Sequence, residues 1–135
     1  MGCRVLIVDD NESWRGFLTE TVTHKAKMVV VGEALDGFEA VQLAQDLQPD
    51  LILLDIGLPT LNGIEAARLI ARVSPRSKVI FVTQESNREV CHAALNTGAC
   101  GFVLKSHAAS DLLRAIQVVL AGDRFATAMP GLVSI

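Results

Sequence analysis

Leu51-Ile52-Leu53-Leu54-Asp55, set between Pro49-Asp50 and the turn-rich Ile56-Gly57-Leu58-Pro59-Thr60-Leu61-Asn62-Gly63, is a four-residue apolar run that ends on a carboxylate. A run this short and this uniformly apolar, bounded by turn residues, reads as a strand buried on both faces. That is the condition of a parallel sheet covered by helices. Three more runs repeat the pattern: Val5-Leu6-Ile7-Val8 leads into Asp9-Asp10, Val79-Ile80-Phe81-Val82 into Thr83, and Phe102-Val103-Leu104 into Lys105.

The spacing predicts strands over residues 4–8, 28–32, 51–54, 78–82 and 101–104, with a helix after each. The first helix starts near residues 11–13 and carries Trp14, Phe17, Leu18 and Val22 at i, i+3, i+4 and i+8. The second follows Asp36 with Phe38, Val41, Leu43, Ala44 and Leu47 as its apolar set, and Pro49 ends it. The third carries Ile64, Ala67, Leu69 and Ile70 and stops near Ser74-Pro75. The fourth, about 87–96, closes at Thr97-Gly98 as a left-handed cap, and the fifth runs from about 109 to 121, with Gly122 as its stop. Five βα units in series imply an α/β, doubly wound parallel sheet with helices on both faces, because parallel crossovers are right-handed. Residues 1–122 read as one domain and 123–135 as a C-terminal tail or truncated linker.

Composition narrows the function classes. Half of the 135 residues are hydrophobic, enough for a packed core. The net charge of −3 gives no electrostatic footprint for nucleic acid. No apolar stretch approaches the roughly 20 residues of a membrane span, and no secretory signal opens the chain. Cys3, Cys91 and Cys100 form no C-x-x-C pair and read as small buried hydrophobes in a reducing cytoplasm. His24, His92 and His107 are scattered, and none reads as a ligand.

In an open parallel sheet, ligands bind outside the carboxyl ends of the strands. Asp9, Asp10, Asp55, Thr83 and Lys105 should therefore gather at one edge. Three ionised carboxylates about 5 Å apart repel by roughly 3 kcal/mol per pair at an effective dielectric of 20. A proton or a hard cation relieves this, and Mg²⁺ suits the oxygen ligands best. With the Lys105 ammonium and the Thr83 hydroxyl, the set matches what a transferring phosphoryl group requires. Asp55, alone at the end of the most apolar strand, is the nucleophile this reading selects. Helix capping could account for a single such Asp, but not readily for all four strand ends.

The segments "VLIVDDNESWR", "PDLILLDIGLPTLNGIEA", "VIFVTQES" and "GACGFVLKS" together resemble the receiver domain of two-component response regulators, in order and over nearly the whole chain. The resemblance implies a flavodoxin-like five-stranded sheet in the order 2-1-3-4-5. It implies Asp55 as phosphoacceptor. Mg²⁺ would be held by Asp10 directly, by Asp9 largely through water, and by Asp55 and the backbone carbonyl of Gly57. Thr83 and Lys105 would contact the phosphoryl oxygens, and Phe102 would be the switch aromatic that turns inward with Thr83. Gln84, where the family usually has a small residue, is read as tuning access to the aspartyl phosphate. Gly57 lacks the larger side chain of many relatives, and Ser106 follows Lys105 where many have Pro.

The expected function is a phosphorylation-dependent signalling switch in the cytoplasm. It would accept a phosphoryl group from a sensor histidine kinase or a histidine phosphotransfer protein and act on a downstream effector protein. It would not be an enzyme, although it would assist its own phosphotransfer and dephosphorylation. Homodimerisation on phosphorylation, no direct nucleic acid binding and no membrane contact complete the expectation. The segment "GACGFVLKSHAASDLLRAIQVVLAGDRF" resembles the branch that carries a LuxR-type helix-turn-helix. The alternative is therefore the regulatory half of a transcriptional regulator whose output domain is absent from this chain. A metal-dependent phosphohydrolase would want a second Asp two residues after the nucleophile, where Gly57 stands.

Overall fold

The computed structural model describes residues 2–127. The apolar runs become the strands of one parallel sheet: β1 (Arg4–Val8), β2 (Val29–Ala34), β3 (Leu51–Leu54), β4 (Lys78–Thr83) and β5 (Gly101–Leu104). The helices are α1 (Glu12–Glu20), α2 (Gly37–Leu47), α3 (Gly63–Val73), α4 (Arg88–Leu95) and α5 (Ala108–Leu120). A short sixth strand, β6 (Phe125–Ala126), extends the order to β2-β1-β3-β4-β5-β6.

Side chains alternate across each central strand. Leu6, Val8, Ile52, Leu54, Phe81 and Phe102 pack on the side of α2, α3 and α4. Val5, Ile7, Leu51, Leu53, Ile80, Val82 and Val103 pack on the side of α1 and α5. Both faces are therefore dry, and this is why the strands read as unbroken apolar runs. No described helix is long and apolar enough to cross a membrane.

Helix starts follow local capping chemistry. The side chains of Asn11, Asp36, Asn62 and Asn87 each accept a backbone N–H from the first turn of the helix that follows. Gly98 and Gly122 take the expected left-handed conformation, at φ +92° and +100°. Gln48 ends α2 at φ +48° without being glycine, and its side-chain amide donates to the carbonyls of Gln45 and Val73, at 2.9 Å each. No described peptide bond is cis.

Four local features differ from the sequence reading. Strand β2 runs to Ala34, because its parallel register with β1 continues to Val8↔Ala34. Helix α1 runs on into a π-helical turn over Thr21–Lys25; Leu18 and Val22 are buried, whereas Trp14 and Phe17 are only half-buried. Phe38 lies outside the core at 60% exposure, while Ala40 and Ala44 make the buried face of α2.

The fourth is β6, which pairs parallel to β5 through Gly101↔Phe125 and Phe102↔Ala126, within the stretch read as a tail. Three side chains off the strand itself secure it. The Arg124 guanidinium donates to the carbonyls of Leu95 and Ala99, the Arg114 guanidinium lies 5.3 Å from the Phe125 ring centroid, and the Thr127 hydroxyl accepts the Leu104 N–H. Residues 128–135 lie outside the described residues.

The loop after β3 is pinned by close backbone approach. A β-carbon at Gly63 would overlap the Asp55 carbonyl oxygen and lie 2.7 Å from the Ile56 Cα. Gly63→Ala must therefore push the β3–α3 connection apart. The expected cost is about 2 kcal/mol of folding stability, read as a lower urea midpoint at unchanged slope.

Candidate functional site

Sheet register brings the polar strand ends together. Val8 lies opposite Leu54, so Asp9 and Asp55 leave adjacent strands side by side, and the Asp55 N–H donates to the Val8 carbonyl at 3.0 Å. Thr83 lies opposite Leu104, which places Lys105 just beyond it. Ligand atoms of Asp9, Asp10 and Asp55 fall within 4.8 Å of one another.

Lys105 bridges this acidic group. Its Nζ is 2.8 Å from Asp9 Oδ2 and 3.2 Å from Asp55 Oδ2, and its side chain is only 8% exposed. The remaining oxygens are oriented by backbone: Asp9 Oδ1 accepts the Asn11 N–H at 2.9 Å, and Asp55 Oδ1 accepts the Ile56 N–H at 2.8 Å. The Thr83 hydroxyl oxygen accepts the Glu85 N–H at 3.1 Å. That leaves its proton to be donated elsewhere.

Above these groups opens a cavity of about 350 Å³. Asp10, Asp55, Gly57, Thr83, Gln84 and Lys105 line it, as the sequence pattern requires. Asp9 is fully buried beneath them. Phe102 does not line the cavity; it is buried in β5, opposite Phe81 on one side and Ala126 on the other. A β-carbon at Gly57 would meet open space. None of the three histidines reaches the cavity lining, and the Cys91 thiol is buried, which raises its pKa and keeps it un-ionised.

Three contributors were not singled out from the sequence. Asn11 and Glu85 also line the cavity. Arg15 braces the acid pair from behind: its Nη1 donates to the Asp9 carbonyl at 3.0 Å, and its Nε pairs with Glu33 at 3.3 Å. Asn11 and Glu85 could have been suspected from following Asp10 and Gln84. Arg15 is one helical turn past the acids, but its pairing with Glu33 depends on β2 register.

The donor set fits a hard divalent cation. Three carboxylates facing one ammonium leave two negative charges. Asp9 Oδ2 is buried, and although it is ion-paired it has no aligned hydrogen-bond donor. Burial pushes the Asp9 carboxyl above its ordinary value and the Asp55 charge adds to this, while Lys105 and the Asn11 N–H pull the other way. All-oxygen ligation by two buried carboxylates and one exposed one is the chemistry of a hard cation such as Mg²⁺ rather than of softer metals.

Comparison with known proteins agrees with this geometry. Residues 5–117 match the family model of the response regulator receiver domain. The chain is 37% identical over 119 residues to the chemotaxis protein CheY of Thermotoga maritima, covering 88% of this chain and 98% of that protein. It is 34% identical over 122 residues to the response regulator GacA of Pseudomonas viridiflava, covering 90% of this chain but 57% of the relative's length. Among solved structures, a LuxR-family two-component response regulator from Aurantimonas sp. SI85-9A1 superposes with a TM-score of 0.86 at 31% identity, covering 93% of this chain and 89% of that one.

The raised Asp9 carboxyl has a consequence for stability. The folded protein retains that proton at pH values where the unfolded chain has released it. The stability Asp9 contributes is complete below the unfolded value of about 3.9 and is lost as pH rises through the raised folded value. In a chelating buffer, the stability of Asp9→Asn relative to the parent is expected to climb as pH rises above about 4. Urea denaturation at each pH checks this, and a difference that stays flat with pH contradicts it.

Proposed function

This chain belongs to the response regulator receiver domain family, and from that membership we propose that Asp55 is the residue that takes the phosphoryl group. Receiver domains are phosphoacceptor switches rather than catalytic enzymes, and they bind Mg²⁺ at an acidic pocket. The observation that carries the assignment is the Lys105 ammonium held between Asp9 and Asp55 beneath a cavity that Thr83 also lines.

Asp9, Asp10, Asp55 and the Gly57 carbonyl would hold Mg²⁺, which when bound offsets the carboxylate repulsion and the charge of the incoming phosphoryl group. The chain's own residues do the rest. The Ile56 N–H fixes Asp55 Oδ1, so the carboxylate is already oriented. An Asp55 oxygen attacks phosphorus as the bond to the donor's imidazole nitrogen breaks. The imidazole keeps the electron pair and picks up a proton from water, and an acyl phosphate is left on Asp55. Lys105 then moves its charge from the carboxylates toward the phosphoryl oxygens, and the Thr83 hydroxyl donates to one of them. Phe102, the proposed switch aromatic, is already buried opposite Phe81, so in this reading drawing Thr83 toward the phosphoryl group holds that ring inward rather than turning it in from the surface.

The donor in this reading is a sensor histidine kinase or a histidine phosphotransfer protein in the cytoplasm, and the receiver of the signal is an effector protein. Dimerisation would follow phosphorylation. Residues 1–122, the proposed receiver unit, are extended by β6 (Phe125–Ala126) at the sheet edge. The chain would assist both its own phosphorylation and its own dephosphorylation. A second reading, the regulatory half of a DNA-binding regulator, is favoured by the LuxR-family neighbour and by the chain spanning only 57% of the GacA length. In either reading this chain itself does not grip nucleic acid, because its net charge is −3.

Incubation with acetyl phosphate and Mg²⁺ is expected to add one phosphoryl group to the parent. Asp55→Asn should gain none, and a chelator should abolish the gain; intact-mass spectrometry reads all three. Labelling of Asp55→Asn at the parental level would refute the assignment. Gln84 sits exposed at the cavity rim, where its side chain screens the acyl phosphate from water. Gln84→Ala should shorten the phosphoryl lifetime about threefold, or roughly 0.7 kcal/mol in barrier. Decay of the labelled protein measures it, and an unchanged half-life removes Gln84 from the mechanism.

A further inference from the structure

The Lys105 ammonium has a third partner besides its two carboxylates: it lies over the indole of Trp14, 5.0 Å from the ring centroid. Trp14 also lines the cavity. Its placement is fixed at two points. Asn11 Oδ1 accepts the Trp14 N–H at 2.9 Å, which sets the backbone at the start of α1. The Phe17 ring meets the indole edge-to-face, with centroids 5.3 Å apart and planes at 83°. The ring is thus braced by its neighbours, and one aromatic surface is given to the lysine.

We propose that Trp14 is a positioning residue that keeps Lys105 at the phosphoryl site once a divalent cation has taken over the carboxylates. This rests on the reading of Asp55 as acceptor and of Lys105 as its phosphoryl partner. A lysine side chain is a flexible stem with a point charge at its tip. Here its tip and the cation seek the same oxygens of Asp9 and Asp55. A dication among those carboxylates weakens their hold on the ammonium and repels it directly. An aromatic face attracts the ammonium through its quadrupole and carries no charge for the cation to compete for. Packing alone explains less: Trp14 is only half-buried, whereas Leu18 and Val22 supply the buried contacts of the same helical segment.

The test needs no labelled phosphate for its first half. In NMR spectra of the unphosphorylated parent, the Lys105 methylene protons next to Nζ should be shifted upfield by the indole ring current and should remain so at saturating Mg²⁺. In Trp14→Leu that shift should vanish. In the second half, the maximal rate of phosphorylation by acetyl phosphate at saturating Mg²⁺ should fall about fivefold in Trp14→Leu, or about 1 kcal/mol, with the Mg²⁺ midpoint unchanged. Trp14→Phe, which keeps an aromatic face, should recover to within about twofold of the parent.

Three results overturn the proposal: Lys105 protons that lose their upfield shift when Mg²⁺ is added, Trp14→Leu reacting at the parental rate, or Trp14→Phe failing as badly as Trp14→Leu. If Trp14→Leu does not fold, the parent spectra with and without Mg²⁺ still decide. If the parent is never phosphorylated, the acceptor reading fails, while the spectra continue to report on the Trp14–Lys105 contact alone.

Discussion

One ammonium answering three carboxylates is the constraint around which the upper edge of the sheet is organised. Lys105 can reach Asp9 and Asp55 only because β1 and β3 are paired in a register that ends them together, and because β5 is one strand removed, across β4. The arrangement is under-neutralised by design of its parts: two negative charges remain, and Asp9 is buried with a raised carboxyl. Such a cluster costs folding stability in isolation and recovers it when positive charge arrives. A site of that kind is poised toward a cation by the same imbalance that strains it.

Packing beneath the site sets how firmly it is held. Asp55 follows a strand with no exposed residue, and its carbonyl lies against Gly63, so the carboxylate stands on a backbone with little room to shift. Arg15 secures the other side by holding the Asp9 carbonyl and tying it to Glu33 beyond β1. The opposite wall is more open. Gln84 and Glu85 are exposed on the β4–α4 loop, and Gly57 presents no side chain. Backbone-oriented acids beneath an exposed rim leave the Asp55 carboxylate fixed while the cavity stays open.

Legibility in the sequence followed burial. Strands β1, β3, β4 and β5 were visible because both of their faces are dry, so every residue had to be apolar until the chain reached the edge. The polar residue that broke each run then lay at the sheet edge, which is why the convergence of Asp9, Asp10, Asp55, Thr83 and Lys105 could be read without coordinates. Features that depend on a partner distant in sequence were not visible. Arg15 looks like any helix-surface cation until Glu33 is opposite it. The π-helical turn over Thr21–Lys25 leaves no mark on a 3.6-residue pattern that Val22 still satisfies. Trp14 fits the apolar stripe of α1, and only its distance to Lys105 separates a packing residue from one facing the site. Strand β6 escaped because two residues carry no periodicity, and its stability comes from Arg124, Arg114 and Thr127 rather than from the strand itself.

That sixth strand also binds the segment that follows it to the edge of the site. The Thr127 N–H donates to the Phe102 carbonyl at 2.8 Å, and its hydroxyl accepts the Leu104 N–H at 3.1 Å. Residue 127 is thus bonded to the backbone on both sides of Val103, one residue short of Lys105 and including the Phe102 main chain. A hydrogen bond tolerates only a few tenths of an ångström before it weakens. The two bonds must either travel with β5 or break. Strand pairing and these two bonds therefore tie Thr127 to the backbone of the strand that leads into Lys105.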